Sequence, residues 1–307
     1  MTVHVYGPVP SRRLGFSLGI DIIPSKTCSL NCIYCQLGPT TRKTLRRKEY
    51  FPSKEILSQV KKKLSSGQQI DYITFSGSGE PTLNTALGKL IREIKKRTTV
   101  PVAVLTNSTL FSRKSVRRDL LAADLVVPSL DAATQKVFDK INRPQPSLKV
   151  EKIIDGLKKF RQEFKGSIWL EIMLVKGVND SLSHIKKLKE IITKIRPEKV
   201  QLNTVIRPPA EKFASPLSLE ELEEIKNIIG KNCEIIAEFE KKAQILPSEN
   251  LEEAILSLIR RRPVTLADIS ASLGKHKNDI IKYLNFLLEE GKIQSAIHKD
   301  LKYYRPK

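Results

Sequence analysis

From residue 71 onward the sequence repeats one unit, a short apolar run followed by an amphipathic helix. The stretches 71–76, 100–106, 125–130, 168–175, 199–204 and 234–237 read as strands. Between them, 83–97, 114–123, 133–140, 149–163, 184–195 and 218–229 carry the helical period. Another apolar run, 18–23, reads as a first strand, and the Gly- and Pro-containing residues 1–17 read as an irregular lead-in. Strands alternating with helices call for an α/β fold with a parallel sheet and βαβ crossovers. Six or so repeats suit a partial (β/α)6 TIM-like barrel, although the alternation alone leaves a flat doubly wound sheet open.

The 307 residues suffice for this domain and a second, smaller one. The expected division is a core over 1–240, a connector over 241–250 and a C-terminal module over 251–307. In the module, Thr265 and Asp268 spell a capping box and Gly274 a helix stop. Three helices followed by a hairpin look like a small winged helix-turn-helix domain; a three-helix protein-interaction module is the rival reading.

Directly after the first strand comes Cys28-Ser-Leu-Asn-Cys32-Ile-Tyr-Cys35, which holds three of the four cysteines. One loop can turn three thiolates spaced C-x3-C-x2-C toward a common point. A structural zinc site wants four ligands, which a distant His or Cys233 would have to complete. Three thiolates suit a [4Fe–4S] cube with one iron left open for another ligand. Cysteines clustered in this way are not a disulfide framework and imply a reducing compartment. Cys233, isolated, reads as a buried small hydrophobe.

This spacing, with Tyr34 before the third cysteine, resembles the radical S-adenosylmethionine (SAM) superfamily. The resemblance covers about residues 10–240. It implies that Cys28, Cys32 and Cys35 ligate the cluster, and that SAM chelates the open iron. It also implies that an electron from the cluster splits SAM to a 5′-deoxyadenosyl radical, which takes hydrogen from a substrate. A second motif, Ser76-Gly77-Ser78-Gly79-Glu80-Pro81, stands where the family carries a Gly-Gly-Glu-type turn. Ser78 replaces one of the family's glycines. Gly77, Ser78, Gly79 and Glu80 are therefore expected at the methionyl ammonium. By the same resemblance Asn107, Ser129 and Asp131 are ribose and methionyl candidates, Glu171 a candidate for SAM or substrate, and Tyr34 a neighbour of the adenine. Asn107 and Asp131 equally suit N-capping of the helices that follow. The segment Gly7-Pro-Val-Pro-Ser-Arg-Arg-Leu-Gly15 and the two motifs resemble the Fe–S oxidoreductase group related to wyosine-forming tRNA-modifying enzymes. Those enzymes carry a further cysteine set ahead of the loop, whereas no cysteine here precedes Cys28.

A net charge of +21 makes an anionic partner plausible, most simply RNA or DNA bound by the basic surface and by residues 251–307. The alternative is charge on solvated helix faces. The run Arg42-Lys43-Thr44-Leu45-Arg46-Arg47-Lys48 lies close enough to the expected site to meet an anionic substrate. Arg12, Arg13 and Lys26 stand near the loop, and Arg143 and Arg207 sit in Pro-stiffened loops at the same side. No apolar run reaches the length of a membrane helix, and a cytoplasmic enzyme reduced by a flavodoxin or ferredoxin is the expectation. The rival function is an iron–sulfur sensor that binds DNA through the C-terminal module without turnover.

Overall fold

The computed structural model of the chain describes residues 3–11, 13–236, 251–275 and 277–307. Arg12, His276, the connector expected over 241–250 and the end of the strand expected over 234–237 lie outside the described residues.

The chain opens with β1 (Val5–Ser11) and β2 (Gly15–Ile20), an antiparallel pair. Two-residue strands β3 (Thr27–Cys28) and β4 (Arg42–Lys43) frame the cysteine loop. There follow α1 (Ser53–Leu64), β5 (Tyr72–Phe75), α2 (Leu87–Lys95), β6 (Val102–Thr106), α3 (Lys114–Leu120) and β7 (Leu125–Pro128). Then come α4 (Gln135–Asn142), α5 (Val150–Glu163), β8 (Ser167–Leu174), α6 (Leu182–Ile195), β9 (Lys199–Thr204), α7 (Leu219–Ile229) and β10 (Cys233–Ile235). The large sheet has the order β1-β2-β5-β6-β7-β8-β9-β10. From β2 onward all neighbours are parallel.

That order separates the two architectures the sequence left open. In a doubly wound sheet the winding reverses at a switch point. Here each new strand joins the same growing edge. Right-handed crossovers then put every helix on one face, and the sheet curls into a partial barrel with the helices outside. The burial along β8 alternates accordingly: Ile168, Leu170, Ile172 and Leu174 are buried against the helices, while Trp169, Glu171 and Met173 face inward and are half-buried. On α2, Leu87, Leu90, Ile91 and Ile94 repeat at helical spacing and are fully buried. Each such side chain contributes about 2 kcal/mol of hydrophobic stabilisation. A small inner cluster of Leu14, Ala103, Leu125 and Val127 fills the curl.

The N-terminal residues depart from expectation. Residues 5–11 are a strand rather than an irregular lead-in, and the first parallel strand ends at Ile20. The prolines fit because β1 is the sheet's outer strand, where a missing N–H breaks no ladder. A register shift between Tyr6 and Val9 absorbs the irregularity.

The C-terminal residues form α8 (Leu251–Arg261), β11 (Val264–Thr265), α9 (Leu266–Leu273), α10 (Lys277–Glu289), β12 (Ile293–His298) and β13 (Leu301–Pro306). The expected helices and hairpin are present, with β11 added to the hairpin as a third strand. Thr265 and Asp268 close the capping box, and Gly274 ends α9 with φ 61°. The module has its own core of Ile255, Ile259, Ile269, Ile280, Leu284 and Leu287. It packs α8 and α9 on β1. Arg261 Nη1 donates to Asp21 Oδ2 at 2.7 Å, and the Tyr303 hydroxyl donates to the Ile206 carbonyl at 2.9 Å. The module therefore touches both the β1–β2 end of the sheet and the loop after β9, spanning the side that the partial barrel leaves open.

Candidate active site

The cysteine loop is fixed at several points. Asn31 N and Ile33 N donate to Asn142 O and Ile141 O at the end of α4, at 2.9 and 3.0 Å. Cys35 N bonds Cys32 O, and Gly38 N bonds Cys35 O, winding the loop into tight turns. Cys28, Cys32 and Cys35 all line one cavity of about 420 Å³ at the C-terminal ends of the parallel strands, where such folds place their chemistry. Asn107 Nδ2 donates to Cys28 Sγ and Asn142 Nδ2 to Cys32 Sγ, each at 3.3 Å.

Burial pushes the Cys28 thiol up to about 12, with the Glu80 carboxylate adding to the effect. Burial and then Asp131 push Cys32 well up, and burial raises Cys35 against the opposing charge of Lys26. Such thiols ionise only beside a strong positive charge, which a bound metal centre supplies. Three soft donors suit iron–sulfur or zinc chemistry. Among the described residues no three His, Cys, Asp or Glu side chains converge closely enough to hold a single ion. A cube does not require this, because it takes its thiolates on separate corners. Cys233 is buried on β10 and is not among the cavity's lining residues.

The turn after β5 is built onto this loop. Lys26 N donates to Ser78 O at 2.7 Å, and Glu80 N to Thr27 O at 3.2 Å. Gly79 is there because nothing larger fits: a Cβ would lie 2.2 Å from Thr27 O and 2.6 Å from Ile23 Cγ2. Gly77 has φ +142°, which side chains rarely adopt. Asp21 Oδ2 accepts from Ser78 N at 3.0 Å and from Ser78 Oγ at 2.5 Å.

Glu80 is buried, and its Oε1 accepts from Thr82 N, Thr82 Oγ1 and Thr106 Oγ1 at 3.0, 2.6 and 2.6 Å. Oε2 accepts from Asn107 N at 2.7 Å. The carboxylate thus clamps the turn to the end of β6, and Oε2 keeps the remaining acceptor capacity. Burial raises its pKa while these four bonds pull it down.

Of the other expected residues, Tyr34, Asn107, Ser129 and Glu171 line the cavity along with Gly77, Ser78, Gly79 and Glu80. Glu171 is held by Arg13 Nη2 and Asn203 Nδ2, both at 2.9 Å. Asp131 is placed differently from the others. It does not line this cavity but sits behind the loop, accepting from the Tyr34 hydroxyl at 2.5 Å, Asn142 Nδ2 at 2.7 Å and Met173 N at 2.9 Å. Three residues past the end of β7, it belongs to the knot that holds Tyr34.

Within the basic run, Arg47 serves the fold. Arg47 binds Asp119 at 2.6 Å and the carbonyls of Thr82 and Asn84, bracing the fold. Arg143 pairs with Glu211 outside the cavity. Asp21 escaped the sequence reading. An acid inside the apolar run 18–23 was the available signal, since a charge is buried only where it has partners.

Burial raises Asp131 from an ordinary 3.8 to about 6, against the hydrogen bonds from Tyr34 and Asn142. The folded-state pKa lies above the unfolded one, so this group's contribution is full below about pH 4 and is lost as pH rises through about 6. Asp131→Asn cannot ionise. Its stability deficit against the wild type is therefore expected to shrink between pH 4 and 7, read from urea midpoints of the cluster-free chain. A deficit that widens over that range contradicts the assignment.

The profile of the Radical SAM superfamily matches residues 22–189, over half of the chain. A protein of Brachyspira hyodysenteriae named GTPase Obg is 42% identical over 299 residues, 96% of this chain. The chain spans only 44% of that protein's length. The UPF0026 protein MJ1312 of Methanocaldococcus jannaschii is 39% identical over 300 residues, covering 95% of this chain and 92% of that one. A probable dual-specificity RNA methyltransferase RlmN of Thermotoga maritima is 28% identical over 213 residues, 67% of this chain and 59% of its own. Among solved structures, a radical SAM methyltransferase from Sphaerobacter thermophilus aligns with TM-score 0.55 at 18% identity, over 71% of this chain and 65% of that chain. At that identity the likeness speaks for the fold alone. Among the described residues no helix is long and apolar enough to cross a membrane. With the profile over half its length and near-full-length UPF0026 relatives, the chain belongs to the radical SAM superfamily and is an enzyme whose cofactors are that family's [4Fe–4S] cluster and SAM.

Proposed function

We propose that Cys28, Cys32 and Cys35 ligate the cluster and that SAM lies between them and the ends of β5, β6 and β7. One observation carries this reading. The three thiols and the Gly77–Glu80 turn open onto the same cavity and are tied together by the Lys26–Ser78 and Glu80–Thr27 backbone bonds. A zinc knuckle would need a fourth donor, and Cys233 stands on a strand away from the cavity lining.

When bound, the cluster supplies one electron for reductive cleavage of SAM to methionine and a hydrogen-abstracting adenosyl fragment. Carbonyls of the turn and Glu80 Oε2 accept from the methionyl ammonium. Asn107 and Ser129 take the ribose hydroxyls, and Tyr34, held by Asp131, stands at the adenine. Glu171, fixed by Arg13 and Asn203, faces SAM or the substrate. The amides of Asn107 and Asn142 donate to two thiolates and so favour the more negative, reduced state of the site. Apolar residues of the same cavity, Leu105, Val205 and Leu258, keep water from the reacting atoms.

The substrate read from charge and kinship together is a modified nucleoside in RNA. The RlmN relatives, named RNA methyltransferases, support that class, and the motif likeness to wyosine-forming enzymes points the same way. In this reading residues 1–240 are the catalytic core, 241–250 a connector, and 251–307 a winged helix that engages nucleic acid. A flavodoxin or ferredoxin in the cytoplasm supplies electrons. The rival of a turnover-free DNA sensor gains nothing from the family or the fold.

The test is anaerobic reconstitution with iron and sulfide, then dithionite and SAM. Equal amounts of 5′-deoxyadenosine and methionine are expected. Stoichiometric zinc with no cleavage would overturn the reading.

A further inference from the structure

Two parts of the chain distant in sequence contribute guanidiniums to the cavity wall. Arg207 follows β9 and Arg262 follows α8, and both line the cavity. Arg261, the last residue of α8, is fully engaged. It donates to Asp21 at 2.7 Å and to Val3 O at 2.8 Å, and stacks 4.2 Å over the Tyr6 ring. That clamp fixes where its neighbour stands.

Arg262 and Arg207 are not engaged in this way. Arg207 is only 10% exposed, and its Nε is buried without a hydrogen-bond partner among the described residues. The carboxylate paired with it, Asp268, is 3.7 Å from Nη2, beyond hydrogen-bond reach, and Asp268 already accepts from Thr265 N in the capping box. The Arg262 guanidinium makes no hydrogen bond or ion pair within 4 Å with any described residue. Burial, and then the Arg207 guanidinium beside it, pull its pKa down to about 10. Two guanidiniums thus face one cavity and repel each other, with one distant carboxylate between them. Leaving buried donors and like charges unmatched is costly, and an anion would relieve both.

Guanidinium forks match planar or tetrahedral oxyanions. Two forks offer more donors than a carboxylate's two oxygens can accept, so a phosphate is the better match. Location separates this site from SAM's. The expected SAM contacts lie at the ends of β5, β6 and β7, whereas Arg207 follows β9, two strands along from β7 and about 10 Å away at ordinary strand spacing. We propose that Arg207 and Arg262 form the binding site for a phosphate group of the substrate, so that the C-terminal module supplies half of the substrate site. This rests on the reading of the cavity as the place of SAM-dependent chemistry.

Inorganic phosphate, titrated calorimetrically into the reconstituted full chain with saturating SAM, tests it. One saturable site is expected. Arg207→Gln and Arg262→Gln should each weaken it by at least about tenfold, the worth of one charge-assisted contact. Arg143→Gln, whose partner is Glu211, should leave it unchanged. A weak or non-saturable response, equal in wild type and both variants, overturns the proposal. Phosphate binding that SAM abolishes also overturns it, because the guanidiniums would then serve SAM's own carboxylate. The same titration on the cluster-free chain, with 5′-deoxyadenosine measured separately on the wild type, distinguishes failure of this site from failure of the radical SAM reading. Loss of SAM cleavage with phosphate binding intact would leave the phosphate site standing.

Discussion

Replacing Cys32 by alanine is expected to lower bound iron from about four per chain to below one, because a cube held by three thiolates does not survive on two. Formation of 5′-deoxyadenosine should fall at least about a hundredfold, past what loss of an outer-shell partner produces. The prediction is specific to position. Cys32 lines the cavity and takes a hydrogen bond from Asn142, whereas Cys233 is buried on β10 and does not line the cavity. Cys233→Ala should therefore keep full iron content and full SAM cleavage. Iron assay, sulfide assay and product chromatography on the two variants side by side decide the matter. If Cys233→Ala loses the metal as Cys32→Ala does, the ligand set is wrong.

Gly79→Ala carries the second large effect, and it acts through packing alone. The new methyl would stand 2.2 Å from the Thr27 carbonyl and 2.6 Å from Ile23 Cγ2. The Thr27 oxygen belongs to backbone and also accepts from Glu80 N, so it has no free direction in which to move. Overpacking of this kind costs about 1–3 kcal/mol. Relief must come from shifting Thr27, and Cys28 shifts with it. We expect a lower urea midpoint in the cluster-free chain together with weaker retention of iron under a chelator. Gly67→Ala is the control, since no atom lies near its Cβ position, although its φ of +70° carries a small strain of its own. Equal behaviour of the two variants would show that the turn is not packed onto the loop as described.

Much of this site was legible from the residues. C-x3-C-x2-C places three thiolates in one loop, and the glycine turn one strand later lies where a parallel sheet puts its chemistry. The strands and helices from 71 to 235 follow hydrophobic period, and 199–204 matches β9 at both ends. What escaped was set by contacts distant in sequence. Residues 5–11 form a strand only because β2 offers an edge, and two prolines hid it. Asp131 was a candidate for the ribose or methionyl end of SAM, yet three residues past the end of β7 its carboxylate is taken up by Tyr34, Asn142 and Met173, partners distant in sequence. Arg47 looked like surface charge awaiting a substrate, and a bond to Asp119, far along the chain, holds it to the fold. Whether the chain winds as a flat sheet or a barrel lay in the strand order, which periodicity cannot carry. The role of the C-terminal module as a wall of the cavity rests on contacts such as Arg261–Asp21 and Tyr303–Ile206, between residues that composition gives no reason to pair.

The central claim is that three cysteines hold a cube whose fourth iron is left for SAM. Mössbauer spectroscopy of the ⁵⁷Fe-reconstituted chain, recorded before and after SAM is added, tests it most directly. The account predicts the signature of a [4Fe–4S] cluster in which the parameters of one iron in four change on SAM binding. Four irons that all ignore saturating SAM, or a site filled by tetrahedral zinc, would contradict it.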